Sequence, residues 1–246
     1  MGAGRMNKRT YRSLVSLSAA AAMLLALAAP SSASLATSNS IQGDDQVTIE
    51  QGLSNAGVSA TDIATLMEKL ANGEVWDSLT SADPVSSETS RSGDIVKTIQ
   101  RYADGSVAVL ETENPTPNTS GGTKSGMVQP MATGTTGCTQ STSSQYQTTW
   151  VNCVSKVDKI IFWMAFQYNK TLYPGGATGK ITSYSNKQYG FVGASLSGGT
   201  LIRQSSSSVR YTGTMKVTQN GWEIYSGTAW IQVTLGAGNN VTLTNN

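Results

Sequence analysis

Residues 137–153, GCTQSTSSQYQTTWVNC, contain both cysteines of the chain, Cys138 and Cys153. A catalytic thiol needs a base, normally histidine, to form its thiolate, and none of the 246 residues is histidine. A zinc site needs three or four suitable ligands, which two cysteines without histidine do not supply. We therefore predict a disulfide between Cys138 and Cys153. It closes a loop of about 15 residues, which should stabilise the fold by roughly 3 kcal/mol.

The first 33 residues have the composition of a secretory signal peptide. An apolar run of 16 residues, 14–29, follows a basic start and ends in small residues, which predicts cleavage after Ala33, with Ala36 as the alternative. A membrane-spanning helix needs about 20 apolar residues, so we expect cleavage and no membrane span afterwards. The sequence predicts a protein that is secreted, either extracellular or associated with the cell surface, where two cysteines normally oxidise to each other.

Charge divides the chain beyond the signal peptide into two halves. Residues 34–129 contain 13 acidic and 5 basic residues, a net charge of −8, whereas residues 130–246 contain 2 acidic and 8 basic residues, a net charge of +6. Such a split predicts a domain boundary. We expect a signal peptide (1–33), a disordered segment (34–47), an acidic α+β module (48–111), a linker rich in Pro, Gly, Ser and Thr (112–137) and an antiparallel β domain (138–246).

The acidic module contains signals for two short helices and a hairpin. The segment TIEQGLSNAG (48–57) predicts a helix that ends at Gly57. In the following VSATDIATLMEKLANGE, apolar residues recur at helical spacing, Ser59 and Asp62 form a capping box, and Asn72-Gly73 predicts the end of the helix. Two strand-like runs flank Asp104-Gly105, which predicts a hairpin with positive φ at both turn positions.

The β domain is predicted to contain seven to nine short antiparallel strands. In VRYTGTMKVT (209–218) apolar and polar residues alternate, and Asn220-Gly221 predicts a type I′ hairpin into WEIYSG. Strands at this spacing indicate a sandwich or a barrel. The fold class is therefore mainly β, stapled by one disulfide and preceded by a small α+β module.

The sequence lacks the usual catalytic motifs. Absence of histidine excludes Ser-His-Asp and Cys-His sites, and no dinucleotide-binding, Walker or EF-hand motif occurs. Asp158 and Glu223, the two carboxylates of the β domain, leave open a glycoside hydrolase, although spacing alone does not bring them together. We expect a non-enzymatic protein with no cofactor and no metal.

Aromatic and basic residues of the β domain are the candidates for ligand binding. If Tyr225 and Ile231 face the core, alternation places Trp222 and Trp230 on the opposite face, unless a bulge at Ser226-Gly227 reverses the parity. With Tyr184, these rings would stack on sugars, or they are ordinary core residues. Basic residues such as Arg210 and Lys216 would attract an anionic polymer, or they only keep the surface soluble.

The helical segment GLSNAGVSATDIATLMEKLANGEVWDS, the run YADGSVAVLE, a linker and a β domain that begins at a cysteine follow one another in this chain. This layout resembles exported proteins of high-GC Gram-positive bacteria. The resemblance covers most of the chain beyond the signal peptide and implies secretion and the order of the parts, with no activity attached.

These observations predict a secreted binding module whose partner is a cell-wall polysaccharide or another anionic surface, with no nucleic-acid partner. An alternative of another class is a cationic antibacterial or toxin-like domain, held in check by the acidic module and released by cleavage within residues 127–137. A third is the hydrolase that uses Asp158 and Glu223.

Overall fold

The computed structural model describes residues 43–115, 137–219 and 221–246. The predicted signal peptide with its Ala33 cleavage site, and most of the predicted linker, lie outside these residues. The first helix, α1, spans Gly43–Asn55. The described end of the predicted disordered segment (34–47) is therefore helical, and that boundary is corrected. Asp44 and Asp45 occupy the first turn of α1, where negative charge is favourable to the helix dipole.

The two-helix prediction is confirmed. Helix α2 spans Ala60–Ala71, and its N-cap Ser59 accepts a hydrogen bond from the Asp62 backbone N–H at 3.1 Å, as the capping box requires. The glycines that follow the helices, Gly57 and Gly73, both have φ of +77°, a conformation that glycine adopts without steric cost. A one-turn 3₁₀ helix, Asp77–Leu79, follows α2.

Trp76 and Asp104 attach the helices to the strands that follow. The Trp76 side chain is fully buried, and its Nε1–H donates to the Leu66 carbonyl at 2.8 Å. Burial alone would raise the pKa of Asp104, but hydrogen bonds from Lys69, Ser106 and the Asp77 backbone N–H hold this pKa below its ordinary value. The aspartate of the predicted turn is thus also the group that binds the end of α2.

The described residues form eleven strands in two antiparallel sheets. The seven-stranded sheet has the order β1-β2-β3-β5-β6-β7, with β4 paired to β5, and the four-stranded sheet has the order β11-β10-β9-β8. The sheets are not closed into a barrel, so of the two predicted architectures the sandwich is confirmed. The strand bounds are Ser86–Ser92 (β1), Ile95–Arg101 (β2), Val107–Glu113 (β3), Thr139–Ser143 (β4), Thr148–Asp158 (β5), Phe162–Leu172 (β6), Lys180–Phe191 (β7), Ala194–Ser205 (β8), Ser208–Gln219 (β9), Trp222–Leu235 (β10) and Val241–Asn245 (β11).

Both predicted hairpins form, but the first has a different turn. Arg101 pairs with Val107, and among the turn residues only Gly105 has positive φ, +84°. The Tyr102 backbone N–H donates to the Ser106 carbonyl, so this is a three-residue turn in place of the predicted two-residue turn. In the second hairpin Gln219 pairs with Trp222 and Gly221 has φ of +78°. Its turn type stays a prediction, because Asn220 lies outside the described residues.

The predicted division into an acidic module and a separate β domain is corrected by the sheet pairing. Strand β3 runs on to Glu113, beyond the predicted module end at residue 111, and residues 109–112 pair with residues 155–158 of β5. One continuous hydrophobic core contains Leu53 and Leu66 from the helices and Ile231 from β10. β2 pairs with one edge of β3 and β5 pairs with the other edge, so the two parts share one sheet and one core.

The sandwich buries the alternate residues that the sequence pattern predicted. Val209, Tyr211, Met215 and Val217 of β9 are each at most 2 % exposed and face the seven-stranded sheet. The disulfide between Cys138 and Cys153 is formed, and Cys153 is fully buried. It joins the start of β4 to β5, the strand that also pairs with β3 and β6.

Replacing both cysteines by alanine is expected to lower the free energy of unfolding by about 3 kcal/mol, because the unfolded chain regains the entropy of a 15-residue loop. Urea unfolding of the wild-type protein and the double variant, followed by Trp fluorescence, measures the difference. Reducing agent provides the control, since it should destabilise the wild type alone.

A chain that begins at residue 137 is expected not to fold, because without β3 the core residues Val157 and Tyr168 lose their cover and β5 loses a paired edge. Circular dichroism melting of residues 137–246 against residues 43–246 tests this. A cooperative transition of the shorter chain at the same temperature would contradict the dependence of the β domain on β3.

Candidate functional site

Arg210 and Trp230 lie together on the outward face of the four-stranded sheet. The Arg210 guanidinium carbon is 4.3 Å from the Trp230 ring centroid, and Arg210 Nε donates to Gln232 Oε1 at 2.9 Å. Trp230 faces Thr212 across the ladder and is half-buried. The guanidinium covers one face of the indole and gains a cation–π contact there. That ring face is therefore not available to a sugar without displacing Arg210.

Lys216 lies on the same outward face, two alternations along β9 from Thr212. Its Nζ is 2.6 Å from Glu223 Oε2, and both side chains are more than two-fifths exposed. An exposed pair of this kind contributes little to stability. It does compensate the lysine charge locally, so Lys216 and Arg210 do not form an uncovered cationic patch.

The expectation that Trp222 and Trp230 share a face is wrong, because β10 contains a bulge. The register shifts between Glu223 and Tyr225, so Trp222 pairs with Gln219, whereas Trp230 pairs with Thr212. One extra residue in a strand moves every side chain beyond it to the other face. The bulge lies before Ser226-Gly227, the place considered from the sequence. Trp222 is 78 % exposed, at the end of the β9–β10 ribbon.

Tyr184 does not join either tryptophan. It lies on β7 of the other sheet, opposite the buried Tyr168, and packs half-buried against the core. The Arg203 guanidinium from β8 stands 5.2 Å from its ring centroid and also donates to the Ile181 carbonyl. The predicted single face of Trp222, Trp230 and Tyr184 is therefore not formed.

An exposed group of aromatic rings lies elsewhere, at one end of the sandwich. Tyr189 and Phe191 are 47 % and 48 % exposed, and their rings lie 6.2 Å apart at an interplanar angle of 15°. Trp222 is at the same end, because the Thr218 backbone N–H donates to the Gly193 carbonyl and so holds the β9–β10 hairpin beside the β7–β8 turn. We call Tyr189, Phe191 and Trp222 the aromatic end.

Tyr189 and Phe191 were not predicted as site residues, although their spacing is visible in the sequence. In KQYGF (187–191) the two rings alternate with Gly190 on an edge strand, which places them on one face. Gly190 is required on the opposite face, since a Cβ there would stand 2.3 Å from Trp163 Nε1. Exposure could not be read from the sequence, because the same alternation fits a buried face.

Charge is distributed unevenly around the aromatic end. Residues 180–246 contain five basic side chains and one acidic side chain, Glu223, whereas residues 43–115 contain thirteen acidic and four basic side chains. Lys187 precedes Tyr189 by two residues, and its Nζ donates to the Gly199 carbonyl of β8. Strands β7–β11 therefore form the cationic side of the molecule, which favours the approach of anionic ligands.

The two carboxylates considered for hydrolysis are held in different sheets. Asp158 of β5 bonds Lys156 Nζ at 2.8 Å and accepts from the Ile160 backbone N–H, while Glu223 pairs with Lys216. The structure does not join them in one groove. Asp158 instead lines a cleft of about 420 Å³ beneath α1, where Glu111 and two lysines also lie, so that acids and bases are balanced.

Two kinds of site are absent from the part of the chain that the structure describes. In residues 43–115, 137–219 and 221–246, no three His, Cys, Asp or Glu side chains come together in a way that could hold a metal ion. In the same residues, no helix has the length and apolar character needed to cross a membrane.

Comparisons with known proteins add little. No family model matches the chain, and no curated protein matches it. Among solved structures, the chain is similar to the hypothetical protein lmo2686 of Listeria monocytogenes EGD-e, with 19 % identity and a TM-score of 0.32, over 62 % of this chain and 94 % of that chain. A likeness at this level carries no argument about fold or function. The resemblance to exported proteins of high-GC Gram-positive bacteria stays a prediction.

Proposed function

We propose that the protein is a secreted, non-enzymatic binding module whose aromatic end holds a polysaccharide of the cell envelope or surroundings. The observation that carries this proposal is the exposed, nearly parallel pair of Tyr189 and Phe191, with Trp222 at the same end. Contiguous exposed apolar patches on a protein surface mark interaction sites, and the adjacent rings of Tyr189 and Phe191 contribute such contiguous area. Flat rings offer apolar area to the C–H faces of sugars at low entropic cost.

The cationic side around the rings favours a polysaccharide that also carries acidic groups. Its contribution is attraction over distance more than direct contact, because Lys216 is paired and Arg203 and Arg210 already cover rings. Stacking on the rings is therefore expected to determine how much protein the polysaccharide retains. The charges add an attraction that weakens as the ionic strength rises.

The sheet pairing favours the binding module over the toxin-like alternative. Strands β1–β3 of the acidic part belong to the same sheet as β5–β7, and the cores of the two parts are continuous. Removing residues before 137 would expose that core instead of releasing a finished domain. The hydrolase alternative has no support either, since Asp158 and Glu223 each bind a lysine in a different sheet.

Replacing Tyr189, Phe191 and Trp222 together by alanine is expected to lower affinity for the polysaccharide by about tenfold or more, because each stacked ring contributes on the order of 1 kcal/mol. The measurement is co-sedimentation of the purified protein with isolated cell wall and with a panel of neutral and acidic polysaccharides, at low salt.

The matched control replaces Tyr146 and Tyr173, which are 72 % and 38 % exposed and lie outside the aromatic end. This control should bind like the wild type, since it removes aromatic area without touching the proposed site. Equal losses in both variants would contradict the site. Absence of retention of the wild-type protein on every polymer at low salt would remove the function.

Attraction by charge is tested separately, by raising the salt concentration in the same assay. Retention on acidic polymers should weaken as the Debye length shrinks from about 30 Å at 0.01 M to about 10 Å at 0.1 M, while retention on neutral polymers should hold. Equal salt sensitivity for both polymer classes would contradict a role of the cationic side in selecting the ligand.

A further inference from the structure

Three polar side chains lie buried near the point where β3 ends. Lys170 of β6 is fully buried, Glu113 is 3 % exposed, and Asn114 is 9 % exposed. Lys170 Nζ donates to Asn114 Oδ1 at 3.0 Å, across 56 residues of sequence. A lysine is almost never fully buried without a carboxylate partner in direct contact, so this contact needs an explanation.

The carboxamide of Asn114 is held in one orientation. Its Nδ2–H donates to the Asn239 carbonyl at 3.2 Å, while its Oδ1 accepts from Lys170. The backbone of Asn114 is fixed as well, since its N–H donates to the Asp94 carbonyl at 2.7 Å and its carbonyl accepts from Arg91. The carbonyl carbon Cγ is one bond beyond Oδ1, so Lys170 Nζ can reach it by moving from its hydrogen-bonding position at Oδ1 onto the face of the amide.

Glu113, the residue before Asn114, supplies a buried carboxylate whose charge acts on Lys170. Its Oε1 and Oε2 accept from the backbone N–H groups of Gly137 and Val154, each at 2.7 Å. Burial raises the pKa of Glu113 above its ordinary value, although these backbone donors and the positive charge of Lys170 oppose the rise.

Burial acts on the lysine in the complementary direction. It lowers the pKa of Lys170 to about 8, against the opposing charge of Glu113 and together with the like charge of Arg91. A neutral amine is the nucleophilic form of lysine, and burial makes it accessible near neutral pH. Burial thus moves the two pKa values toward each other, which lowers the free-energy cost of shifting a proton from the amine to the carboxylate.

We propose that Lys170 and Asn114 become joined by an amide bond between Nζ and Cγ, which crosslinks β6 to the end of β3. The neutral amine attacks Cγ, the C–Nδ2 bond breaks, and Nδ2 leaves as ammonia. One amine and one carboxamide thus give one secondary amide and one molecule of ammonia, with no oxidant, reductant or cofactor. Glu113 takes a proton from the attacking nitrogen and returns it to the leaving nitrogen.

The bond would crosslink the chain at the place where the acidic part meets the β domain. Together with the Cys138–Cys153 disulfide, it would tie the acidic part, β6 and β5 into one covalent unit. Crosslinks of this kind stabilise chiefly by restricting the unfolded chain, and the benefit grows slowly with the length of the loop that they close.

The test is the mass of the secreted, oxidised protein. We expect a loss of one ammonia, about 17 Da, in addition to the two hydrogens lost at the disulfide. Because Asn72-Gly73 or Asn220-Gly221 could also lose ammonia by cyclising, the deciding observation is a reduced tryptic digest. It should contain residues 102–124 linked to residues 160–180, with no cleavage after Lys170.

Variants separate the roles of the three residues. Lys170→Met and Asn114→Ser should each show the mass calculated from the variant sequence, without the loss of ammonia, and should yield the two peptides separately. Asn114→Asp should yield the same linked peptide by loss of water.

Lys159→Met is the matched control, because Lys159 is also buried, at 2 % exposure, but bonds the Asn246 backbone carbonyl and no side-chain amide. It should retain the ammonia loss. Glu113→Gln should slow bond formation.

A digest of the folded wild-type protein in which the two peptides are separate and Lys170 is cleaved normally would overturn the crosslink. This measurement does not depend on the folding of any variant. Bond formation in Glu113→Gln at the wild-type rate would overturn the role given to Glu113.

Discussion

The pairing of β3 with β5 is the constraint on which the rest of the structure depends. Only residues 109–112 and 155–158 take part, yet this short ladder makes one sheet from segments that differ strongly in charge. It places Leu110 and Thr112 over the inward face of the sheet, where Thr112 Oγ1 lies 2.6 Å from Ser155 Oγ. Because β3 stops at Glu113, the polar groups that follow it are carried into the core. The buried Lys170 of β6 has its hydrogen-bond partner, Asn114, directly after the end of β3.

Local structure could be predicted from the sequence where a few neighbouring residues determine it. The Ser59 cap, the glycines after both helices and the alternation in β9 involve interactions within a few positions, and all of them are observed. The hairpin at Asp104 was placed correctly but given the wrong turn. The side chain of Asp104 binds α2 and the Ser106 backbone. The Asp-Gly dipeptide alone gives no indication of these hydrogen bonds.

What the sequence could not supply depends on partners far along the chain. The β3–β5 ladder joins residues more than forty positions apart, across a stretch whose composition is typical of a linker, so the sequence suggested two domains where there is one. A single bulge in β10 separated Trp222 from Trp230. Of the candidate residues, Trp222 remains in the proposed site, while Tyr184, Trp230, Arg210 and Lys216 have partners within the fold that occupy their rings or charges.

The free edges of β7 and β8 explain why the cationic residues are not simply a binding patch. An unpaired edge strand is a template for aggregation, and proteins protect it with charged side chains. Arg203 of β8 reaches the Ile181 carbonyl of β7, and Lys187 of β7 reaches the Gly199 carbonyl of β8. Each cation thereby bridges the two sheets and protects an edge strand. This structural role uses the positive charge independently of any ligand. Tyr189 and Phe191 are not used in this way, since their rings stack on each other and about half of each residue is exposed. The binding proposed for the aromatic end therefore rests on the rings more than on the charges.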